Sequence, residues 1–233
     1  MHTTHLPKIL GDNRHHFHQV IPLPRNPRLV LLDFSANNSA LVRDLDTLGD
    51  TARFTNYVES LVNGAAAGVG GYSEDRVIYR RSPHFVSGAE PRSIHLGVDI
   101  WMSAGTPVLA PLDSRLHSFR DNQGFGDYGP TVILEHELEE TTFYTLYGHL
   151  SRESLAGLQE NQSVAVGQQI GEIGPYPENG DWPPHLHFQI IADMLGMKGD
   201  FPGVAAPSQR DHYLQLCPDP NLILQFDILN MPF

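Results

Sequence analysis

Four histidines and one aspartate carry the metal chemistry open to this chain. His95 and Asp99 stand in His95-Leu96-Gly97-Val98-Asp99, His149 in Tyr147-Gly148-His149-Leu150, and His185 and His187 in His185-Leu186-His187-Phe188. Imidazole nitrogen and carboxylate oxygen are donors that zinc accepts, and catalytic zinc keeps three protein ligands and a fourth position for water. Five candidate groups can supply three ligands to a mononuclear centre and leave two to handle protons. Zinc lowers the pKa of its water to near 7, and a neighbouring imidazole is suited to move that proton. Composition and spacing leave open which histidine does which job.

These groups need elements that aim them inward. On a strand, residues i and i+2 share a face, so His185 and His187 enter one cavity together. His95 and Asp99 converge across a helical turn or a strand-to-loop bend. The connecting sequence runs through Gly105-Thr106-Pro107-Val108-Leu109-Ala110-Pro111, Thr131-Val132-Ile133-Leu134-Glu135-His136, Thr145-Leu146-Tyr147-Gly148-His149-Leu150-Ser151 and Val166-Gly167-Gln168-Gln169-Ile170-Gly171-Glu172-Ile173-Gly174.

Taken in this order, the motifs His-x-x-x-Asp and His-x-His with their connecting segments resemble the lysostaphin/LytM-type zinc metallopeptidases. These are duplicated-hybrid-motif proteins known as endopeptidases of bacterial cell-wall cross-links. The resemblance covers roughly residues 93–191. It implies zinc ligands at His95, Asp99 and His187, with one Zn2+ per chain. It implies that His149 and His185 activate water and steady the transition state. The implied substrate is a peptide or peptidoglycan fragment. One segment departs from the family, which has a Ser/Thr/Gly-rich turn before its His-x-His strand. This chain has Pro175-Tyr176-Pro177-Glu178-Asn179-Gly180-Asp181-Trp182-Pro183-Pro184, stiff with prolines, and the departure bears on substrate preference. Tyr147, Trp182 and Asn179 are candidate substrate contacts. Glu172, Glu178 and Asp181 are read as solvated acids.

Two other readings compete. One is a cytoplasmic zinc hydrolase of a small amide, ester or phosphoester. The other is a metal-free carrier or binding module on the same fold, against which the complete set of five groups counts. The net charge of −12 comes with only two lysines, Lys8 and Lys198, and argues against nucleic acid and against tight docking on anionic membranes or anionic cell-wall polymers. At 40% hydrophobic and 18% charged, the 233 residues describe a globular protein with no disorder signature. The single cysteine, Cys217, excludes an intrachain disulfide and is read as a small buried apolar residue. Residues 1–20 contain no apolar core of a secretory signal, and no run reaches transmembrane length. If Met1 is the native start, a cytoplasmic location is expected; otherwise the protein is periplasmic or secreted.

The expected fold is mainly β, a compact antiparallel, barrel-like sheet with an α-containing N-terminal extension. Three regions are expected: an extension over 1–90 that borders or covers the cleft, a peptidase domain over 91–192, and a wrapping tail over 193–233. His2, His5, His15, His16 and His18 fall in an N-terminal arm. Leu29–Leu32 reads as a strand, and helices are expected over Ser39–Leu48 and Thr51–Val62. In the second helix Phe54, Val58 and Leu61 form a core-facing stripe. The glycines and alanines of 64–71 read as a flexible junction. Val77–Tyr79 reads as an edge strand; Arg76, Arg80 and Arg81 could bind a substrate carboxylate bidentately, but the favoured reading is surface residues pairing with surplus acids. Strands are expected at Val98–Trp101, Pro107–Ala110, Leu116–Arg120, Thr131–His136, Phe143–Tyr147 and His185–Ile191. A short helix or turn is expected over Ser151–Leu158, two paired short strands within Val164–Ile173, and a last strand or plug at Leu222–Leu224. His84, His117, His136 and His212 are assigned to surface or core.

Overall fold

The computed structural model describes residues 5–44 and 48–230. Helix α1 (Leu6–Asp12) buries Leu6 and Leu10, one helical turn apart, against the main core. Strand β1 (Leu29–Leu32) leads to α2 (Ser39–Arg43), whose first turn is capped by the Asn38 side chain accepting from Leu41 N. Helix α3 (Thr51–Val62) is capped in the same way by Asp50. Then come β2 (Ala67–Gly70) and a short α4 (Pro83–Val86). The family-like segment supplies β3 (Ile94–His95), β4 (Val98–Trp101), β5 (Pro107–Leu109), β6 (Ser114–Asn122), β7 (Gly129–Leu138) and β8 (Thr141–Gly148). It continues with β9 (Ser163–Val164), β10 (Gln169–Glu172) and β11 (His185–Ile191). β12 (Val204–Ala205), α5 (Arg210–Leu216) and α6 (Asn221–Leu224) complete the chain. Among the described residues, no helix is long and apolar enough to cross a membrane.

Eight strands form one sheet in the order β1-β2-β4-β11-β8-β7-β6-β9. Only the β1–β2 pair is parallel; the other neighbours are antiparallel. All seven positions of β11 are buried, as expected for a central strand covered on both faces. The alternation then sorts its residues. Leu186, Phe188 and Ile190 point into the main core, while His185, His187 and Gln189 take the opposite face. β4 does the same, with Val98 and Ile100 in the main core and Asp99 and Trp101 opposite.

The sheet is larger than the sequence suggests, because residues 64–71 are not a flexible junction. Ala67–Gly70 is a fully buried strand paired with both β1 and β4. Its small residues give no hydrophobic alternation to read, yet only small residues fit there. A Cβ on Gly68 would lie 2.8 Å from side-chain carbons of both Leu32 and Val62. Val77–Tyr79 is not an edge strand either. Ile78–Arg81 forms a 3-10 turn that buries Ile78 and Tyr79 in a second, aromatic core with Phe34, Phe54, Phe85, Trp101 and Trp182.

In α3, Phe54 and Val58 join this aromatic core, but Leu61 is 37% exposed. The helix expected over Ser39–Leu48 ends at Arg43, and residues 45–47 lie outside those described. Within Val164–Ile173, β9 pairs with β6 and β10 with β5 instead of with each other. Leu222–Leu224 is helical, and only its Ile223 is fully buried.

His136 on β7 is buried, with Nε2 2.7 Å from Thr145 Oγ1. Burial pushes its imidazole down to about 4, against roughly 6.5 in an unfolded chain. Between these values the unfolded chain holds more protons, so stability falls as pH drops from about 6.5 towards 4. Replacing His136 with Leu should flatten that slope of unfolding free energy in urea titrations across this range. An unchanged slope would show that His136 is not buried in its neutral form.

Candidate metal centre and cleft

The register of four adjacent strands builds the site. Gly70 of β2 stands opposite Asp99 of β4, Asp99 opposite His187 of β11, and His187 opposite Gly148 of β8. Directly opposed residues share a face, with Cβ atoms about 4.5–5.5 Å apart. Asp99 and His187 therefore meet across one strand gap, and His149 follows immediately after Gly148. His185, two residues before His187, lies opposite Trp101 and stacks on its ring with centroids 4.0 Å apart. His95 enters from β3, across the short bend at Leu96-Gly97.

Three atoms converge. His95 Nε2, His187 Nδ1 and Asp99 Oδ1 lie 3.0 to 3.2 Å from one another. A tetrahedral site with ligand distances of about 2.0–2.1 Å separates its donors by roughly 3.3 Å. The tautomers follow from the other ring nitrogens. His95 Nδ1 is 3.0 Å from the Gly71 carbonyl, which only accepts, so Nδ1 carries the proton and Nε2 a lone pair. Gln189 Nε2 donates to the Pro202 carbonyl at 3.1 Å, which turns Gln189 Oε1 towards His187 Nε2 at 2.9 Å. His187 thus donates from Nε2, and its Nδ1 is bare. Two nitrogen lone pairs and a carboxylate oxygen meet in a buried place with no proton between them. They repel one another unless a cation sits there, and this donor set fits a small divalent metal.

The electrostatics agree. Burial, and then the Arg76 charge, pushes His95 down to about 4. Burial brings His185 to about 4 as well. Burial, with His185 and His187 close by, holds His149 well below the ordinary histidine range. For Asp99 burial alone would raise the carboxyl, but His95 and Arg76 beside it keep it well below its usual value. Neutral imidazoles and an ionised carboxylate are the forms that bind metal.

His149 and His185 border this triangle. His185 donates from Nδ1 to the Pro183 carbonyl at 2.7 Å, so its bare Nε2 faces Asp99 Oδ1 at 3.9 Å. His149 donates from Nδ1 to the Asn179 carbonyl at 2.8 Å, and its ring centroid is 4.2 Å from that of His185. Its φ of +63° is unusual for a side-chain-bearing residue, and such strain clusters at functional positions.

All five sequence-assigned groups therefore come together, and Asp99, His149, His185 and His187 line a cleft of about 210 Å3 that is open to solvent. The candidate substrate contacts fare differently. Trp182 lines the cleft. Tyr147 does not: the β8 alternation turns it into the main core, fully buried against Phe188 with its hydroxyl at Thr145. Asn179 is fully buried and holds the proline-rich loop. Its Nδ2 donates to the Gly174 and Trp182 carbonyls, and its Oδ1 accepts from Trp182 N. It acts on His149 through its carbonyl and does not face the cleft.

Sequence reasoning missed much of the wall. Arg76, read as a surface residue, is 2% exposed and ion-paired with Asp99 and Glu74. Arg81 lies over the Trp182 and Phe125 rings. With Arg76, the residues Tyr79, Phe85, Tyr128 and His84 line the cleft, and Arg81 backs its Trp182 wall. No local signal marks these positions, since only the long-range sheet register brings them to the site.

Gln189 fixes His187, and residues that orient ligating histidines are worth about 10–100-fold in metal affinity. Gln189→Leu should weaken metal binding by that factor in competition against a chelator. Wild-type affinity in a folded variant would mean that His187 needs no such support.

The sequence is similar to known proteins over this segment. Residues 93–198 match the profile described as Peptidase family M23. The chain is 30% identical over 120 residues to an L-Ala–D-Glu endopeptidase of Bacillus subtilis, covering 49% of this chain and 35% of that protein. It is 33% identical over 96 residues to an uncharacterized metalloprotease of Haemophilus influenzae, covering 41% of this chain and 18% of that protein. It thus spans about a third and about a fifth of the lengths of these two relatives. Among solved structures it is similar to the catalytic domain of the antimicrobial peptidase lysostaphin from Staphylococcus simulans. That likeness has 25% identity and a TM-score of 0.36, over 50% of this chain and 77% of the other. With its two histidine motifs in the family's order, the segment 93–198 is similar to the domain of peptidase family M23.

Proposed function

We propose that the protein is a zinc-dependent endopeptidase acting on peptides of the peptidoglycan type. The observation that carries the reading is the proton-free triangle of His95 Nε2, Asp99 Oδ1 and His187 Nδ1, with two further bare imidazole nitrogens beside it. These three atoms would hold the zinc, which when bound supplies Lewis acidity and an acidified water. His149 and His185 each present an acceptor, pinned in orientation by a backbone carbonyl. The one that takes the water's proton then has an N–H on both nitrogens. It becomes a donor to the developing oxyanion or to the leaving amine. Because burial disfavours the charged imidazole, that proton is readily passed on.

The cleft supports a peptide substrate. Tyr79, Phe85 and Trp182 offer apolar rings beside the catalytic groups, while Asp127, Asp200 and Arg92 add charges of both signs. The activity named for the Bacillus subtilis relative supports the choice of bacterial wall peptides.

The test is incubation of the zinc-loaded protein with purified peptidoglycan, and separately with a panel of small amides, read by mass spectrometry. Release of wall peptides, abolished by a chelator, is expected. Silence on peptidoglycan with turnover of a small amide would favour the small-substrate hydrolase instead. His149→Ala and His185→Ala should each keep one zinc and lose roughly 100- to 10,000-fold in rate. Near-normal turnover by either variant would remove that histidine from the proton pathway.

A further inference from the structure

The segment just ahead of the M23 match holds a charged group that the peptidase reading leaves unused. We propose that Arg76 and Glu74 are positioning residues of the metal centre, holding Asp99 so that a single carboxylate oxygen faces the metal. The inference rests on the zinc reading of the triangle and adds to it residues from outside the family segment.

The connections form one buried chain. Phe34 N donates to Glu74 Oε1 at 2.7 Å, Arg76 Nε donates to Glu74 Oε2 at 2.7 Å, and Arg76 Nη1 donates to Asp99 Oδ2. Oδ2 is thereby occupied, leaving Oδ1 to meet His95 and His187. The same stretch grips the other side of the site. Glu74 O accepts from His95 N at 2.9 Å, Ser73 N donates to His95 O at 2.8 Å, and Gly71 O fixes the His95 ring. Residues 71–76 therefore hold both His95 and Asp99.

Two features set this apart from an ordinary structural ion pair. First, two carboxylates share one guanidinium, so the buried group carries one negative charge too many. Uncompensated buried charge is strongly unfavourable, and a divalent cation at the triangle supplies the missing compensation. Second, the guanidinium reaches Asp99 by lying against Gly70, which stands opposite Asp99 in the register. A Cβ on Gly70 would be 2.6 Å from Arg76 Nη2, and that nitrogen is buried without a hydrogen-bond partner. The arrangement gives up one donor in order to place Nη1 at the aspartate. A carboxylate held by one oxygen leaves coordination space for water and substrate, whereas a freed one can turn and chelate with both.

The test uses full-length, metal-free protein. Zn2+ affinity is measured by competition with a chromophoric chelator, and coordination number is read from the visible absorption of the Co2+-loaded form. Arg76→Gln should weaken Zn2+ affinity about 10–100-fold and dim the Co2+ bands, as a second carboxylate oxygen enters. Arg76→Lys, which keeps the charge, should recover part of the affinity. Gly70→Ala displaces the guanidinium without changing any charge and should move both readouts the same way. It carries the comparison if Arg76→Gln does not fold. Folded variants with wild-type affinity and wild-type Co2+ bands overturn the proposal while leaving the zinc centre intact. A wild-type protein that takes up no Zn2+ overturns both.

Discussion

Asp99 and His187 stand opposite each other on adjacent antiparallel strands, and the rest of the site depends on that pairing. A slip of one residue in either strand would turn one of them into the apolar core. The register is held by the other face: Val98, Ile100, Leu186 and Phe188 are fully buried in the main core. The same row extends outward on both sides to Gly70 and Gly148. Each missing side chain leaves room for a neighbour, the Arg76 guanidinium at one end and the Tyr128 ring at the other. Hydrophobic packing on one side of the sheet thus sets the positions of the polar groups on the other.

The polar face is costly. It holds four buried histidines, a buried aspartate and a buried arginine–glutamate pair, with little water to solvate them. The cost is contained because nearly every group has one atom committed to a fixed partner. Gly71, Pro183 and Asn179 offer backbone carbonyls to three of the histidines, and Gln189 serves the fourth. What remains uncommitted points inward. These are the lone pairs that a cation and a reacting water require, and their convergence is the physical content of the family resemblance.

The chemistry was more legible in the sequence than the setting. The His-x-x-x-Asp and His-x-His motifs contain four of the five central groups, and the family resemblance adds His149; the shared face of His185 and His187 follows from i,i+2 alternation on a strand, a local rule. The strands from Val98 to Ile191 were legible for the same reason, being β-branched and aromatic runs between turn residues. Residues 64–81 were not. The buried strand Ala67–Gly70 lacks the bulky residues that announce a strand, and its stability comes from pairing with β1 and β4. Arg76 has no sequence mark of burial, since the carboxylates that neutralise it are Glu74 nearby and Asp99 far along the chain. Tyr147 shows the converse. It adjoins Gly148 and His149, but its parity on β8 sends it to the core.

The proposed binding of one metal ion by three proton-free donors underlies the whole site. Its most direct test is equilibrium dialysis of the metal-free protein against Zn2+, with metal content read by atomic emission. One tightly held zinc per chain is expected, lost in a His95→Ala/Asp99→Ala double variant that still folds. A wild-type protein that stays metal-free under saturating Zn2+, or a double variant that retains its zinc, would contradict it.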